Sequence, residues 1–136
     1  MKKKITNDYR TSELLEDKLQ DHTDIAYKNS KIFPRTQHVN IVYEENDKIV
    51  AGLVGYNYLD YFHVGILWVD KDQRGKNLGS KLIKDLEKLK SQYYIKYIHL
   101  ETMSFQALEF YLKLDFVVFG EIKDSDKTMF FLKKEI

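Results

Sequence analysis

Apolar and polar positions change period several times along this chain, and each change marks an element. Residues 2–8 read as a short first strand. From Ser12 to about Lys28, Leu14, Leu15, Leu19, Ile25 and Ala26 keep a loose helical period behind a Thr-Ser start. Residues 38–43 and 49–58 are rich in β-branched and aromatic side chains. They flank Glu44-Glu45-Asn46-Asp47-Lys48, a good hairpin turn. A break at Asp60 leads into a third strand, Tyr61–Val69. These three runs predict an antiparallel meander.

The period then lengthens. Leu78, Leu82, Leu86 and Leu89, with Ile83 beside them, line one face of a helix whose other face carries Lys81, Lys84, Asp85 and Lys88. Residues 95–101 follow as a strand in which Ile98 and Leu100 alternate with His99 and Glu101. Residues 107–114 predict a short helix, and residues 116–122 and 128–132 predict strands around an Asp-rich turn. The fold class is therefore a mixed α/β sheet. The single proline, Pro34, and the scattered glycines form no linker, so residues 1–136 are expected to be one domain.

Composition narrows the chemistry. The chain carries 22 Lys plus Arg, 21 Asp plus Glu and no cysteine. A disulfide framework, a thiolate zinc site, an iron–sulfur cluster and a cysteine nucleophile are all excluded. A net charge of +1 gives no global field toward DNA, RNA or an anionic membrane, so a bound anion must be held locally. No apolar run approaches the roughly 18 residues of a membrane span. The basic opening Met1-Lys2-Lys3-Lys4 lacks the apolar stretch of a secretory signal. A cytoplasmic domain without metal, nucleic-acid or membrane partners is the expectation, and its aromatic content is compatible with a homodimer.

The most informative segment is Asp72-Gln73-Arg74-Gly75-Lys76-Asn77-Leu78-Gly79-Ser80, between a strand and the strongest amphipathic helix. Gly75 and Gly79 allow close backbone approach, and Asn77 tolerates positive φ. A helix starting here points free N–H groups and its positive dipole end outward, which suits a pyrophosphate. Residues 74–84 hold four basic side chains and no acidic one. The spacing is neither that of a Walker loop nor that of a dinucleotide-binding fingerprint. An ordinary strand-to-helix turn with a solvated basic face has the same composition.

Leu67-Trp68-Val69-Asp70 followed by Arg74-Gly75-Lys76-Asn77-Leu78-Gly79 resembles the R-x-x-G-x-G/A acetyl-CoA motif of the GCN5-related N-acetyltransferases, the GNAT family. Downstream, Ser104-Phe105-Gln106-Ala107-Leu108-Glu109-Phe110-Tyr111-Leu112-Lys113-Leu114-Asp115-Phe116 resembles the family's second signature, which usually ends Y-x-K-L-G-F. The resemblance spans residues 38–134. Asn77 stands where the middle glycine is common, Asp115 replaces the glycine after the second helix, and Ser104 replaces a frequent asparagine.

The resemblance implies a mainly antiparallel central sheet with flanking helices and a splayed parallel strand pair. Acetyl-CoA would lie between the strand ending at Val69 and the strand ending at Glu101. Leu67, Trp68 and Val69 would pair with the pantetheine arm through their main chain. Arg74, Gly75, Lys76, Asn77, Leu78, Gly79 and Ser80 would hold the pyrophosphate. Ser104, Ala107 and Tyr111 would also contact the cosubstrate, with Tyr111 as general acid. For the general base, His63, His99 and Glu101 all qualify, as does a water chain. His63 shares its alternation parity with Val69, whereas His99 and Glu101 share one face of the next strand.

The implied activity is direct acetyl transfer from acetyl-CoA to a primary amine of a small molecule or protein. A non-catalytic acyl-CoA-binding module of the same fold is the alternative. A nucleic-acid-binding domain would show a broad basic stripe, whereas charges alternate over most of this chain. Residues 31–73 carry six acidic against four basic side chains, which suits a cationic amine or simply a solvated face. Tyr56, Tyr58, Tyr61 and Phe62 are read either as an aromatic acceptor wall or as packing between strands and helix.

Overall fold

In a computed structural model that describes residues 1–26 and 36–136, four helices and six strands alternate along the described chain. They run α1 (Tyr9–Ala26), β1 (His38–Glu45), β2 (Lys48–Tyr58), β3 (Tyr61–Val69), α2 (Leu78–Lys88), α3 (Lys90–Tyr93), β4 (Tyr97–Met103), α4 (Leu108–Lys113), β5 (Val117–Lys123) and β6 (Thr128–Glu135). The strands form one mixed sheet in the order β1-β2-β3-β4-β6-β5. Every neighbouring pair is antiparallel except β3 with β4. The expected meander is present, and its first turn places Asn46 and Asp47 at φ 52° and 62°. Two successive positive φ values match the right-handed twist of a hairpin, and Asn and Asp tolerate them better than most residues.

One face of the sheet carries the core. Leu82, Ile83 and Leu86 of α2 join Ala51, Leu53, Phe62, Val64, Ile98 and Leu100 of the strands in one buried cluster. Tyr111 and Phe116 extend it under α4. A fully buried Phe62 or Phe116 is worth about 1.5–3 kcal/mol. An exposed pair such as Lys88–Asp85 is worth about 0.2–1 kcal/mol. Apolar burial therefore fixes α2 on the sheet, with Lys134–Glu87 at 2.6 Å adding a partly shielded tie to β6.

The N-terminal segment departs from expectation. Residues 2–8 form no strand; instead the Asp8 carboxylate accepts from Thr11 N and Thr11 Oγ1, both at 2.7 Å, and starts α1 at Tyr9. That capping bond satisfies a first-turn donor, which a strand there would forgo. These contacts and one from Thr6, the largest influence, hold the Asp8 carboxyl down to about 2. The helix runs to Ala26; the expected extension to Lys28, and Pro34, lie outside the described residues. Its apolar period does not mark its buried side, because Gln20 and Thr23 are buried while Leu14, Leu15, Leu19 and Ile25 are exposed.

A bulge in β3 resets the facing of its side chains. Val54 pairs with Ile66 and Gly55 with Val64, which leaves Gly65 as an extra residue. The extra residue inverts the alternation beyond it. His63 shares the outer face with its partner Tyr56, whereas Val69 lies opposite buried Ala51 on the core face. The shared parity of His63 and Val69 is thereby overturned. At Gly55 a Cβ would stand 2.2 Å from His63 O and 2.5 Å from a Phe62 ring carbon, so only glycine fits.

Candidate functional site

The parallel contact between β3 and β4 is short. It comprises Tyr61↔Tyr97, Phe62↔Ile98 and His63↔His99, after which β3 continues to Val69 and β4 to Met103 without pairing. One edge of β3 thus presents main-chain donors and acceptors to an open gap. The bulge at Gly65 falls where the strands part and turns β3 away.

The glycine turn closes one end of this gap. Asp70 Oδ1 accepts from Asp72 N at 2.9 Å and starts a short 3-10 turn, Lys71–Gln73. Gly75 at φ 79° and Asn77 at φ 61° then redirect the chain into α2. The Asn77 side chain makes no capping bond. The first-turn N–H groups of α2 therefore have no acceptor within the helix or its cap side chain. Gly79 faces Phe110, where a Cβ would lie 3.0 Å from Cζ, so the helix start seats closely against α4.

A cavity of about 520 Å³ results, bounded by Leu67, Trp68 and Val69, by the turn from Gln73 through Ser80, and by α4. Of the expected cosubstrate residues, Arg74, Gly75, Asn77, Leu78, Gly79, Ser80 and Ala107 line it. Among the described residues, Arg74 and Lys113 are its only charged lining groups, so the cavity is cationic within a nearly neutral chain. Lys76 lies outside the lining and donates to Gln73 Oε1 at 2.9 Å. Ser104 is outside it too, its Oγ accepting from Thr128 N at 3.1 Å. Lys113 and Phe110 are wall residues that the sequence reading does not single out, although both stand in the second signature.

A second cavity, about 290 Å³, fills the gap itself, and shares Leu67 and Ala107 with the first. Glu101 and Thr102 bound it from β4, Gly65 and Ile66 from β3, and Tyr111 from α4. Tyr111 is only 7% exposed, and burial pushes its phenol up to about 12. Thr102 and Gln106 are unexpected here. Thr102 continues the inward alternation of Ile98 and Leu100, a signal that would have found it. Gln106 Oε1 accepts from Met103 N at 2.9 Å, a local bond no sequence period reports.

All three candidate bases meet on the outer face. His63 Nε2 lies 2.7 Å from Glu101 Oε2. An ionised carboxylate only accepts, so Nε2 is the donor of this bond. The other ring nitrogen, Nδ1, is buried without a hydrogen-bond partner among the described residues. The His99 ring lies 4.8 Å from His63. Burial first, and then the charge of His63, hold the His99 imidazolium below the usual histidine range, against an opposing effect of Glu101. Tyr56, Tyr58 and Tyr61 line a neighbouring cavity of about 480 Å³ with His99, whereas Phe62 turns into the core.

A family model described as an acetyltransferase (GNAT) domain matches residues 36–118. Over 81 residues the chain is 35% identical to a blasticidin-S acetyltransferase from Streptomyces morookaense, which covers 59% of this chain and 60% of that protein. The match thus spans less than two thirds of that relative. A crystal structure of an acetyltransferase from Bacillus cereus ATCC 14579 aligns with TM-score 0.78 at 28% identity, covering 98% of each chain. A Bacillus anthracis structure assigned as a streptothricin acetyltransferase, in complex with acetyl coenzyme A, aligns with TM-score 0.66 at 21% identity. It covers 82% of this chain and 67% of that one, a likeness of fold. The matched residues 36–118 run from β1 into β5 and include both the parted strands and the glycine turn, and the chain belongs to the GNAT acetyltransferase family.

Proposed function

We propose that this chain is a single-domain, acetyl-CoA-dependent N-acetyltransferase that transfers acetyl directly to a primary amine. One observation carries this reading. The gap between β3 and β4 joins a cationic cavity on one side to a carboxylate–imidazole cluster on the other. The residues present suit acetyl-CoA. Arg74, Lys113 and the first-turn N–H groups of α2 hold its pyrophosphate. The free edge of β3 at Leu67, Trp68 and Val69 takes the amides of its pantetheine arm as a further strand would.

Acetyl-CoA supplies the activated thioester; the chain supplies proton handling and position. An alkylammonium of pKa about 10 must lose its proton before it can attack. Glu101 reaches the gap directly and takes that proton, while His63 fixes its other oxygen. His63 Nδ1 is buried, which favours Glu101 over His63 as the accepting group. Tyr111 keeps its hydroxyl protonated and aims it at the departing sulfur. Tyr111 hydrogen-bonds to the sulfur as charge builds there, and the thiolate leaves as the acylated nitrogen gives up its second proton, through solvent, to yield amide and CoA thiol.

The Streptomyces relative's name makes a small-molecule amine the acceptor class this reading favours. The non-catalytic alternative leaves Glu101 and Tyr111 in the gap without a task. Acetyl-CoA should raise the melting temperature, because a ligand bound only by the folded state stabilises it. No shift at millimolar acetyl-CoA would remove both the enzyme and the binding module.

A further inference from the structure

On the sheet face opposite α2, aromatic rings form a continuous row. Tyr9–His38, His38–Tyr56, Tyr56–His63 and His63–His99 have centroids 5.9, 5.9, 5.4 and 4.8 Å apart. Tyr61 joins edge-on to His99 at 6.3 Å and stacks on Tyr97 at 5.3 Å. Between this row and α1 lies the 480 Å³ cavity, walled by Tyr56, Tyr58, Tyr61 and His99, with Leu19 and Glu16 from the helix. Among the described residues no Lys or Arg lines it, and Glu16 is its only carboxylate. Glu16 Oε1 stands 3.8 Å from His38 Nε2, beyond hydrogen-bond length, so the carboxylate retains acceptor capacity.

We infer that this cavity binds a planar cation, so that the acceptor carries a flat, positively charged group in addition to the amine that is acetylated. The inference rests on the acetyltransferase reading and deepens it. Three tyrosines line the cavity; the face of a tyrosine ring attracts a cation, and a flat group gains stacking area that a compact ammonium does not. The edge N–H groups of such a cation suit a single carboxylate. His99 lines the cavity and abuts His63, which holds Glu101 at the gap. Among the described residues this cavity and the one in the gap share no lining residue, and the His99–His63 pair stands between them, so on this inference the acceptor spans that pair.

The test is equilibrium binding of benzamidine, a planar cation, against its uncharged analogue benzamide, by titration calorimetry on the whole chain. Benzamidine should bind at least about tenfold more tightly, and Glu16→Gln should bring the two within about twofold. Tyr61→Leu should weaken benzamidine about tenfold. Circular dichroism and the acetyl-CoA melting shift of each variant report that it is folded. Equal binding of the two probes, or a preference that survives Glu16→Gln, would overturn the inference. Because no turnover is read, loss of acetyl transfer with this preference retained would sink the transferase reading alone. Transfer with no preference would sink the planar-cation site alone.

Discussion

The roles proposed for Glu101 and Tyr111 have separable signatures. Glu101→Gln should lower kcat about 10²–10³-fold and leave the acetyl-CoA dissociation constant unchanged. Tyr111→Phe should slow turnover about tenfold with little loss of CoA affinity; undiminished turnover would end its role at the leaving sulfur. His99 gives a pH effect of definite sign. Its folded pKa lies below the ordinary value, so the unfolded chain takes up the proton first as pH falls. Stability should decline from about pH 6.5 down to the folded value, and His99→Asn should lessen that decline in melts recorded from about pH 8 to 5. Strand alternation alone reveals His99 and Glu101 as facing together. It misplaces His63 relative to Val69, because an inserted residue at Gly65 leaves no mark in the hydrophobic period.

Among the elements, Gly55 and Asp115 occupy backbone positions that favour glycine. Gly55→Ala places a methyl group against His63 O and the Phe62 ring, both beneath the bulge. The expected loss is about 2–3 kcal/mol in denaturant unfolding, with the β3–β4 gap distorted. Asp115 sits at φ 69° after α4, where Phe116 N reaches back to Tyr111 O at 3.1 Å. This is a helix end that glycine accepts most easily. Asp115→Gly should therefore stabilise the fold by about 0.5–1 kcal/mol, read as a raised melting temperature. β4 and α2 are legible because their burial follows a period of two and of 3.6 residues respectively. The start of α1 is not, since the Asp8 cap depends on a turn geometry that competes with a β-rich reading. The buried side of α1 is also illegible: Gln20 and Thr23 go inward where the leucines suggest otherwise.

Across the whole molecule, 22 basic and 21 acidic residues nearly cancel, yet among the described residues the cavity at the glycine turn has two cations and no acid in its lining. Electrostatics here is a local matter. Arg74→Ala combined with Lys113→Ala should weaken acetyl-CoA binding at least about tenfold and flatten its dependence on salt, read by calorimetry from low to moderate ionic strength. The basic turn is visible in the sequence as Arg74 to Ser80, but Lys113 joins it only through the packing of α4 on Gly79. The central claim is direct transfer through the gap in the sheet. Its most direct test mixes the purified chain with acetyl-CoA and a panel of primary amines, with thiol release and product mass followed together. Amine-dependent release of CoA, matched by an acceptor one acetyl group heavier and largely lost in Glu101→Gln, is the predicted result. Acetyl-CoA that binds and stabilises the chain while no amine in a broad panel is acetylated would contradict it.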